Sequence, residues 1–257
     1  MRAALALLAV LALVYLAMCL LMYLQQRSMV YLPQHTRVDA AGTDFSIGRE
    51  DGVQLRGWVV NPGRGEPILY FGGNAESVEF NRDDFRAWFP GRSVYLLAYR
   101  GFGASGGQPR EQDLYADALA FFDHVAERHP GERVSVIGRS LGSGVASHVA
   151  AHRPVDRLAL VTPFDSMAAV GQAHFRWLPV RLLLRERFEA AEALGAYEGP
   201  VLVIRAANDE VIPARNTDAL IDALPRPPEV VEIADAGHND LSLAPGFGRA
   251  LAHFLAR

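Results

Sequence analysis

Ser140 lies in the pentapeptide Gly-Arg-Ser-Leu-Gly, between an apolar run, Val134–Ile137, and a helical pattern of small residues. A Gly-x-Ser-x-Gly turn between a strand and a helix exposes the serine hydroxyl, and its glycines leave room for the crowded backbone. The first amides of the helix point toward the same place, where they stabilise a negatively charged oxygen. The pattern predicts a nucleophile. A serine N-cap beside glycines needed for packing is the alternative interpretation.

Two more residues with the required chemistry follow later strand-like runs. Asp209 comes after the apolar run Val201–Arg205, and His238 comes after Glu229–Ile233. A serine hydroxyl is a weak nucleophile until a base removes its proton, and imidazole does so near neutral pH. An acid orients the imidazole and stabilises its charged form. Because serine, acid and histidine occur in the chain order of the α/β-hydrolases, we expect a catalytic triad.

Each of these two residues also has an ordinary structural interpretation. Asp209 could cap the helix that begins near Pro213, and its neighbours Asn208 and Glu210 are rival polar groups. His238 could be an unremarkable loop histidine. The agreement of three residue types after successive strands favours the catalytic interpretation.

A serine nucleophile also needs two N–H donors for the negative oxygen that develops during acyl transfer. One is the backbone amide of Leu141, the residue after the predicted nucleophile. The other is expected in the turn Gly72-Gly73-Asn74-Ala75, directly after the strand-like run Ile68–Phe71. Within that turn we select the backbone amide of Asn74. An ordinary glycine turn is the alternative.

The elements that must position these residues follow from the hydrophobic pattern. An antiparallel pair around Asp51-Gly52, followed by alternating strands and helices, predicts an α/β fold with a mostly parallel sheet. Ligands of such sheets bind beyond the carboxyl ends of the strands. The predicted strands are Phe45–Arg49, Val53–Val60, Ile68–Phe71, Ser93–Ala98, Val134–Ile137, Leu158–Val161, Val201–Arg205 and Glu229–Ile233. The predicted helices are Leu114–Glu127, Gly142–His152, Pro213–Leu224 and Gly246–Ala256.

The N-terminus carries an uncharged apolar segment, Ala3–Leu24. As a helix it would be about 33 Å long, enough to cross a hydrocarbon core of ~30 Å. A cleaved signal peptide has a shorter apolar region and a small-x-small site, and no such site follows Leu24. We therefore expect a single-pass membrane anchor over residues 3–24 and a stalk over residues 25–43. Arg2 on one side and Arg27 on the other leave the orientation open.

Composition limits the remaining possibilities for the 257-residue chain. The 50% of apolar residues are enough for one sizeable core, expected over residues 44–257. The balance of 25 basic and 29 acidic side chains, without a basic stripe, argues against a nucleic-acid partner. One cysteine excludes an internal disulfide and a multi-cysteine metal cluster. P-loop and His-Glu-x-x-His motifs are absent, so those two classes lack support. The predicted serine mechanism implies no metal or organic cofactor.

Together these motifs resemble the α/β-hydrolase superfamily of serine hydrolases. The closer resemblance is to its membrane-anchored group related to serine aminopeptidase-type and monoacylglycerol-lipase-type domains. One departure is Gly72, which stands where that group usually has a histidine that supports the loop. The segments that carry the resemblance are GGNA at 72–75, YRGFGASGG at 99–107, GRSLG at 138–142, DEVIP at 209–213 and GHND at 237–240.

The resemblance implies an eight-stranded, mostly parallel sheet with helices on both faces and a small cap. It also implies hydrolysis of carboxylic ester or thioester bonds in lipid-like or acylated substrates, through an acyl-enzyme. A serine peptidase is the alternative activity. A membrane-tethered binding or scaffold protein on a retained hydrolase fold is the non-enzymatic alternative.

The segment 166–194 separates two predicted strands and is too long for a tight connection. It mixes aromatic residues, leucines and arginines, and three interpretations stay open. It could cover an acyl pocket as a cap, rest its apolar face on a membrane while arginines meet anionic lipid, or form an ordinary crossover helix. Near the predicted site, Arg100 and Arg139 are expected to pair with carboxylates or carbonyls, because an unpaired buried guanidinium is costly.

Overall fold

A single eight-stranded sheet forms the centre of the computed structural model, which describes all residues from 1 to 257. Its strand order is β1-β2-β4-β3-β5-β6-β7-β8. β1 pairs antiparallel with β2, β2 pairs antiparallel with β4, and every other pair is parallel. This arrangement confirms the predicted fold class. The strands are β1 (Phe45–Gly48), β2 (Gln54–Val60), β3 (Ile68–Phe71), β4 (Val94–Ala98), β5 (Val134–Arg139), β6 (Val155–Val161), β7 (Val201–Ala206) and β8 (Glu229–Ile233).

Nine α-helices accompany the sheet, and the four predicted from the sequence lie within a few residues of their expected bounds. The others in the soluble part have four to eight residues, too few for a helical period to stand out. The helices are α1 (Arg2–Val30), α2 (Arg82–Trp88), α3 (Glu111–Arg128), α4 (Leu141–His152), α5 (Met167–His174), α6 (Val180–Leu183), α7 (Ala190–Leu194), α8 (Ala214–Ala223) and α9 (Phe247–Leu255).

Helices cover both faces of the sheet, as two neighbouring residues of β3 show. The Tyr70 ring packs edge-on against Phe85 of α2, with ring centroids 4.9 Å apart. The Phe71 ring packs edge-on against Phe121 of α3 at 5.8 Å. Because successive side chains of a strand point to opposite faces, α2 and α3 lie on opposite sides of the sheet. The continuous apolar runs of the central strands reflect this burial on both faces.

The loops that carry the predicted site residues all leave the same edge of the sheet. The strands β3, β5, β7 and β8 are parallel, so their carboxyl ends lie side by side. Asn74 follows β3, Ser140 follows β5, Asp209 follows β7 and His238 follows β8. The fold therefore gathers these residues at the edge where α/β sheets bind ligands.

The turn from β5 into α4 depends on two glycines that let the helix lie against the sheet. A Cβ on Gly138 would lie 2.4 Å from the carbonyl oxygen of Gly142, and a Cβ on Gly142 would lie 2.0 Å from that of Phe71. Both distances are far below van der Waals contact. The glycines that flank Ser140 are thus needed for the close approach of α4 to β3 and β5.

The N-terminal helix α1 is continuous over 29 residues and is long and apolar enough to cross a membrane. It continues past the apolar segment, and its last residue, Val30, joins the hydrophobic core together with Tyr31. The rest of the segment expected to be a stalk also contacts the domain. The Gly42 carbonyl accepts a hydrogen bond from the Trp58 indole at 2.6 Å, and the Thr36 hydroxyl accepts one from the Gly103 amide at 3.0 Å.

The glycine contacts predict a difference between two alanine variants. Gly142→Ala should lower the free energy of unfolding by about 1–3 kcal/mol, because the new methyl group forces α4 away from the sheet. Gly42→Ala is the matched control: a Cβ on Gly42 would have no other atom within 4 Å, so a change within about 0.5 kcal/mol is expected. Thermal unfolding in detergent measures both. Equal stability of the two variants would show that the α4 contact is not tight.

Candidate active site

The backbone of Ser140 adopts an unusual conformation that points its side chain out of the turn. Its φ of 51° and ψ of −118° lie in a region that residues other than glycine rarely occupy. Hydrogen bonds on both sides hold it there. The Ser140 amide donates to the Val161 carbonyl at 2.9 Å, and the Ser143 amide donates to the Ser140 carbonyl at 2.8 Å. The surrounding structure therefore stabilises the strained turn.

The imidazole of His238 lies between the Ser140 hydroxyl and the Asp209 carboxylate. Its Nε2 is 2.9 Å from Ser140 Oγ, and its Nδ1 is 2.8 Å from Asp209 Oδ2. A carboxylate only accepts hydrogen bonds, so Nδ1 carries the proton and the neutral Nε2 accepts from the serine hydroxyl. The structure thus joins three residues that lie far apart in the chain into one chain of hydrogen bonds.

The Asp209 carboxylate is held on both oxygens. Oδ1 accepts hydrogen bonds from the amides of Val211 and Ile212 at 2.9 and 2.7 Å, which leaves Oδ2 for His238. The Asp209 side chain is 9% exposed and that of His238 is 10% exposed. A fixed negative charge in such a sheltered position stabilises a positively charged imidazole. The rival residue Glu210 is exposed to solvent.

Two backbone amides beside Ser140 are available for a ligand oxygen. Leu141 is the first residue of α4, so its amide has no acceptor within the helix. The amide of Asn74 donates no hydrogen bond within the protein. Both residues line the same pocket as Ser140 and His238. The turn before Asn74 is close to the serine, since a Cβ placed on Gly73 would lie 3.8 Å from Ser140 Cβ.

The turn that contains Asn74 is supported by Glu76, a residue that the sequence analysis did not identify. Its Oε2 accepts a hydrogen bond from the Gly73 amide at 2.7 Å. Its Oε1 accepts from the Tyr70 hydroxyl at 2.6 Å and from Asn81 Nδ2 at 2.7 Å. Glu76 lies three residues after the amide it binds, but no helix begins at Gly73, so the capping-box rule gave no signal for it.

Gly72 belongs to this turn and stands where the resembled group usually has a supporting histidine. The structure has no room for a side chain there: a Cβ on Gly72 would lie 2.5 Å from Val78 Cγ1 and 3.2 Å from Glu76 Oε2. The Gly72 carbonyl also accepts a hydrogen bond from the Tyr99 hydroxyl at 2.9 Å. Support for the turn thus comes from Glu76, Val78 and Tyr99.

Arg139 connects this turn to the loop that carries His238. Its guanidinium lies 3.7 Å from Glu76 Oε1, and it donates to the carbonyls of His238 and Asn239 at 3.4 and 3.5 Å. Burial lowers the pKa of Arg139, but the Glu76 carboxylate and Tyr70 outweigh that effect and leave its pKa above the ordinary value. Arg139 therefore has the carboxylate and carbonyl partners expected for it.

Arg100, the other arginine considered, belongs to a separate ion-pair cluster. Its guanidinium forms two hydrogen bonds with Asp117, at 3.0 and 2.9 Å, and also pairs with Asp51. Its pKa is raised, mainly by hydrogen bonding to Asp117. Arg49 reaches the same Asp117 carboxylate at 2.9 Å. Arg100 thus has the structural role predicted for it.

A pocket of about 410 Å³ opens beside the hydroxyl of Ser140. Most of its wall is apolar, and two of its residues come from the end of α1 rather than from the sheet or its helices. Glu76 is the single carboxylate in the wall. The apolar lining residues are Met29, Val30, Ala75, Leu141, Phe164, Met167, Val170, Val211 and Ile212.

The family model described as "Serine aminopeptidase, S33" matches residues 68–191. An uncharacterised protein of Mycobacterium tuberculosis is 36% identical over 212 residues, which cover 80% of this chain and 75% of that protein. The α/β hydrolase domain-containing protein WAV2 of Arabidopsis thaliana is 30% identical over 235 residues, covering 82% of this chain and 76% of that protein. The two relatives thus match about four fifths of the chain, and the family model matches a little under half of it.

Solved structures show the same fold at lower sequence identity. The esterase Pf2001 of Pyrococcus furiosus has a TM-score of 0.68 and 20% identity, and the match covers 83% of this chain and 91% of that one. An acetyl xylan esterase of Paenibacillus sp. R4 has a TM-score of 0.66 and 20% identity, with 82% of each chain covered. This chain therefore has the fold of these hydrolases.

The contacts of Glu76 predict how its loop responds to a neutral substitute. In Glu76→Gln, the new amide group faces other hydrogen-bond donors and Arg139 loses its charged partner. We expect exchange of the Gly73 amide hydrogen to become about tenfold to a hundredfold faster, because a hydrogen bond to a charged group is lost. Hydrogen-exchange mass spectrometry of the loop peptide measures this.

The matched control for that variant is Glu79→Gln, three residues away. The Glu79 side chain accepts no hydrogen bond from the loop, and burial raises its pKa. The control should leave exchange in the loop peptide unchanged. Equal protection of Gly73 in Glu76→Gln and wild type would contradict the role assigned to Glu76.

Proposed function

Because this chain belongs to the α/β-hydrolase family, we propose that it is a serine hydrolase that cleaves carboxylic ester or thioester bonds. Ser140 is the proposed nucleophile, His238 the general base and Asp209 the residue that orients it. The observation that carries the proposal is the pair of hydrogen bonds at 2.9 and 2.8 Å that join the three side chains. This geometry supports proton removal from the serine as it attacks.

In the proposed acylation step, Ser140 Oγ attacks the acyl carbon and its proton passes to His238 Nε2. The carbonyl oxygen becomes an oxyanion, which the amides of Asn74 and Leu141 stabilise. When this intermediate collapses, the bond to the leaving alcohol or thiol breaks. His238 Nε2 gives its proton to that leaving group, and the acyl group stays on Ser140 as an ester.

Deacylation repeats the same steps with water. His238 Nε2 takes a proton from a water molecule as the water oxygen attacks the acyl carbon. The second oxyanion uses the same two amides. Its collapse breaks the bond to Ser140 Oγ, which recovers a proton from His238, and the carboxylic acid leaves. Asp209 remains ionised throughout and stabilises the imidazolium in each half of the reaction.

The walls of the pocket support lipid-like or acylated substrates. The lining is largely apolar, and Met29 and Val30 bring the end of the N-terminal helix into it. An acyl chain buried against such walls gains about 0.8 kcal/mol per methylene group. The esterase neighbours are too distant in sequence to show this chain's substrate, and they support the ester class only through their shared fold.

Peptide hydrolysis is the second candidate, favoured by the description of the family model. An aminopeptidase needs a carboxylate free to bind the substrate's amino group. Glu76, the single carboxylate in the pocket wall, already accepts hydrogen bonds from Tyr70, Gly73 and Asn81 and faces Arg139. The occupied carboxylate favours esters over peptides with a free amino terminus.

The proposed cellular form is a single-pass membrane protein. Residues 3–24 are proposed to span the membrane, residues 25–43 to connect the span to the domain, and residues 44–257 to form the hydrolase, with 166–194 as its cap. The length and apolar composition of α1 support the span. A tethered scaffold without activity remains the non-enzymatic alternative, and the next experiment distinguishes it.

A fluorophosphonate probe tests the nucleophile directly, because it forms a covalent bond with an activated serine. Labelling of the full chain is expected, and Ser140→Ala should abolish it. Ser147→Ala is the matched control. It removes another buried hydroxyl of α4, which donates to the Ser143 carbonyl at 2.7 Å, and labelling should persist. Absence of labelling in folded wild-type protein would favour the scaffold.

A series of p-nitrophenyl esters tests the substrate class. From acetate to octanoate, kcat/KM should rise by up to about fourfold per methylene group until the pocket is full, because each methylene buries apolar surface. Aminoacyl p-nitroanilides should react far more slowly. Preference for the anilides, with a flat ester series, would instead support the peptidase. Purified full chain in detergent is assayed with Ser140→Ala as the blank.

A further inference from the structure

The tip of the cap, defined here as Phe175–Arg185, lies directly against the N-terminal helix. The Tyr15 hydroxyl donates a hydrogen bond to the Trp177 carbonyl at 3.1 Å. One turn further along α1, Cys19 packs with Leu178 and Val180 in a small apolar cluster. The cap tip therefore contacts residues that belong to the apolar segment itself, well before that segment ends.

Polar contacts continue this interface down to the end of the helix. Gln26 donates to the Leu183 carbonyl at 3.3 Å and accepts from the Arg185 amide at 2.6 Å. Arg27 pairs with the buried carboxylate of Glu186 at 3.0 Å. These contacts hold the cap tip beside α1, so the position of the helix in a membrane also sets the position of the tip.

The depth of the contact follows from the rise of the helix. The residues that precede Tyr15 in the apolar segment, Ala3–Val14, rise about 18 Å. This is too short to cross a hydrocarbon core of ~30 Å. A tilted helix needs still more residues to cross. The bilayer must therefore also enclose Tyr15 and the residues up to about Met22, and this is the level at which Trp177, Leu178 and Val180 lie.

The side chains of the cap tip suit a position within the bilayer. The large apolar residues of the cap tip include Phe175, Trp177 and Leu182, which are 36%, 57% and 86% exposed. Such exposure is unusual for three neighbouring large apolar side chains in water and marks an interaction surface. Tryptophan also favours the boundary between headgroups and acyl chains.

The cap tip also carries three exposed arginines, Arg176, Arg181 and Arg185. None of them pairs with a carboxylate, whereas the neighbouring Arg27 and Arg187 pair with Glu186 and Glu189. Arg185 instead lies over the Tyr23 ring at 4.2 Å. Long arginine side chains near a membrane extend their charged ends to the headgroups, where anionic lipids attract them.

We propose that the cap tip is embedded in one leaflet of the membrane beside α1. Its apolar side chains enter the boundary of the acyl chains, and its three arginines bind anionic headgroups. The proposal rests on the membrane span in the proposed function. The role of segment 166–194 was left open by the sequence. The proposal gives this segment a second role in addition to covering the pocket.

This position brings the proposed acyl pocket next to the lipid. The pocket wall includes Met29 and Val30 from α1 and Met167 and Val170 from α5, the helix that leads into the cap tip. One part of the wall is thus built from α1 and from the helix that leads into the cap tip. The distance that an acylated lipid must move from the leaflet to the pocket is therefore short, about 10 Å along α1 from Met22 to Met29.

Tryptophan quenching by brominated lipid tests the depth of the cap tip. The full chain is reconstituted in vesicles of phosphatidylcholine and phosphatidylglycerol, with and without bromine near the headgroup end of the acyl chains. Bromolipid should quench part of the tryptophan fluorescence of the wild type. It should not quench the fluorescence of Trp177→Phe. Trp58, which is 2% exposed within the core, serves as the internal unquenched control. Equal quenching of wild type and Trp177→Phe overturns the embedding.

Neutral variants of the arginines test the headgroup contact. The triple variant Arg176→Gln, Arg181→Gln, Arg185→Gln should cleave an ester presented in anionic vesicles about tenfold more slowly, and keep wild-type turnover of soluble p-nitrophenyl acetate. Arg64→Gln is the matched control, since Arg64 is an exposed arginine at the opposite edge of the sheet. Equal rates of cleavage by the triple variant and the wild type in anionic vesicles overturn the role of the arginines. So does quenching of the wild type that is the same in vesicles of phosphatidylcholine alone as in the mixed vesicles.

Two measurements on the same vesicles separate this inference from the proposed function. Flotation after carbonate extraction reports the membrane span, and fluorophosphonate labelling reports the nucleophile. Labelled protein that floats but shows no quenching from Trp177 overturns the embedded cap and leaves the hydrolase standing. Protein that floats with a quenched Trp177 but without labelling supports the cap and overturns the hydrolase. Protein that does not float overturns both the span and the embedded cap.

Discussion

The chain of hydrogen bonds through the His238 imidazole depends on the register of a parallel sheet. Ser140 and Asp209 lie 69 residues apart in the sequence, and His238 lies 29 residues beyond Asp209. They meet because β5, β6, β7 and β8 run side by side and end at the same edge. A shift of one residue in one strand would turn its side chains to the opposite face and misplace the loop that follows.

Around these hydrogen bonds, partly buried charges hold the loops in place. Glu76 binds the turn that contains Asn74, and Arg139 links Glu76 to the carbonyls of the His238 loop. Each charge has partners, which offsets the cost of removing it from water. Interactions of this kind are strong where solvent is excluded, so the two loops on either side of Ser140 are positioned relative to each other. Reactive geometry of this type needs loops that stay fixed while charge develops.

The N-terminal helix is physically continuous with this site. The Asn74 side chain donates to the Val30 carbonyl at 3.2 Å, and the Asn74 carbonyl accepts from the Leu32 amide at 3.1 Å. Tyr31 and Arg27 both reach the buried carboxylate of Glu186 in the cap segment. The end of the helix thus contacts both the turn beside Ser140 and the segment 166–194. Helix α1 is therefore packed against the domain at its end rather than joined to it by a flexible tether.

Local sequence was sufficient to identify the strands, the longer helices and the site candidates. Each depends on short-range rules: apolar runs for buried strands, glycines on both sides of a serine, and polar residues directly after a strand. The small helices α2, α5, α6 and α7 and the supporting role of Glu76 were not identified. Helices of four to eight residues leave no clear period, and a partly buried glutamate has the same local appearance as an exposed one.

The sequence by itself therefore determined which residue types follow which strands, and with them the class of fold. Tertiary structure decided which of those residues meet, because a distance such as that from His238 to Ser140 depends on strand register and not on spacing in the chain. It also decided that Glu76 binds the Gly73 amide and that the segment Phe175–Arg185 lies along α1. These outcomes arise from packing and hydrogen bonds between distant segments, and no local pattern records them.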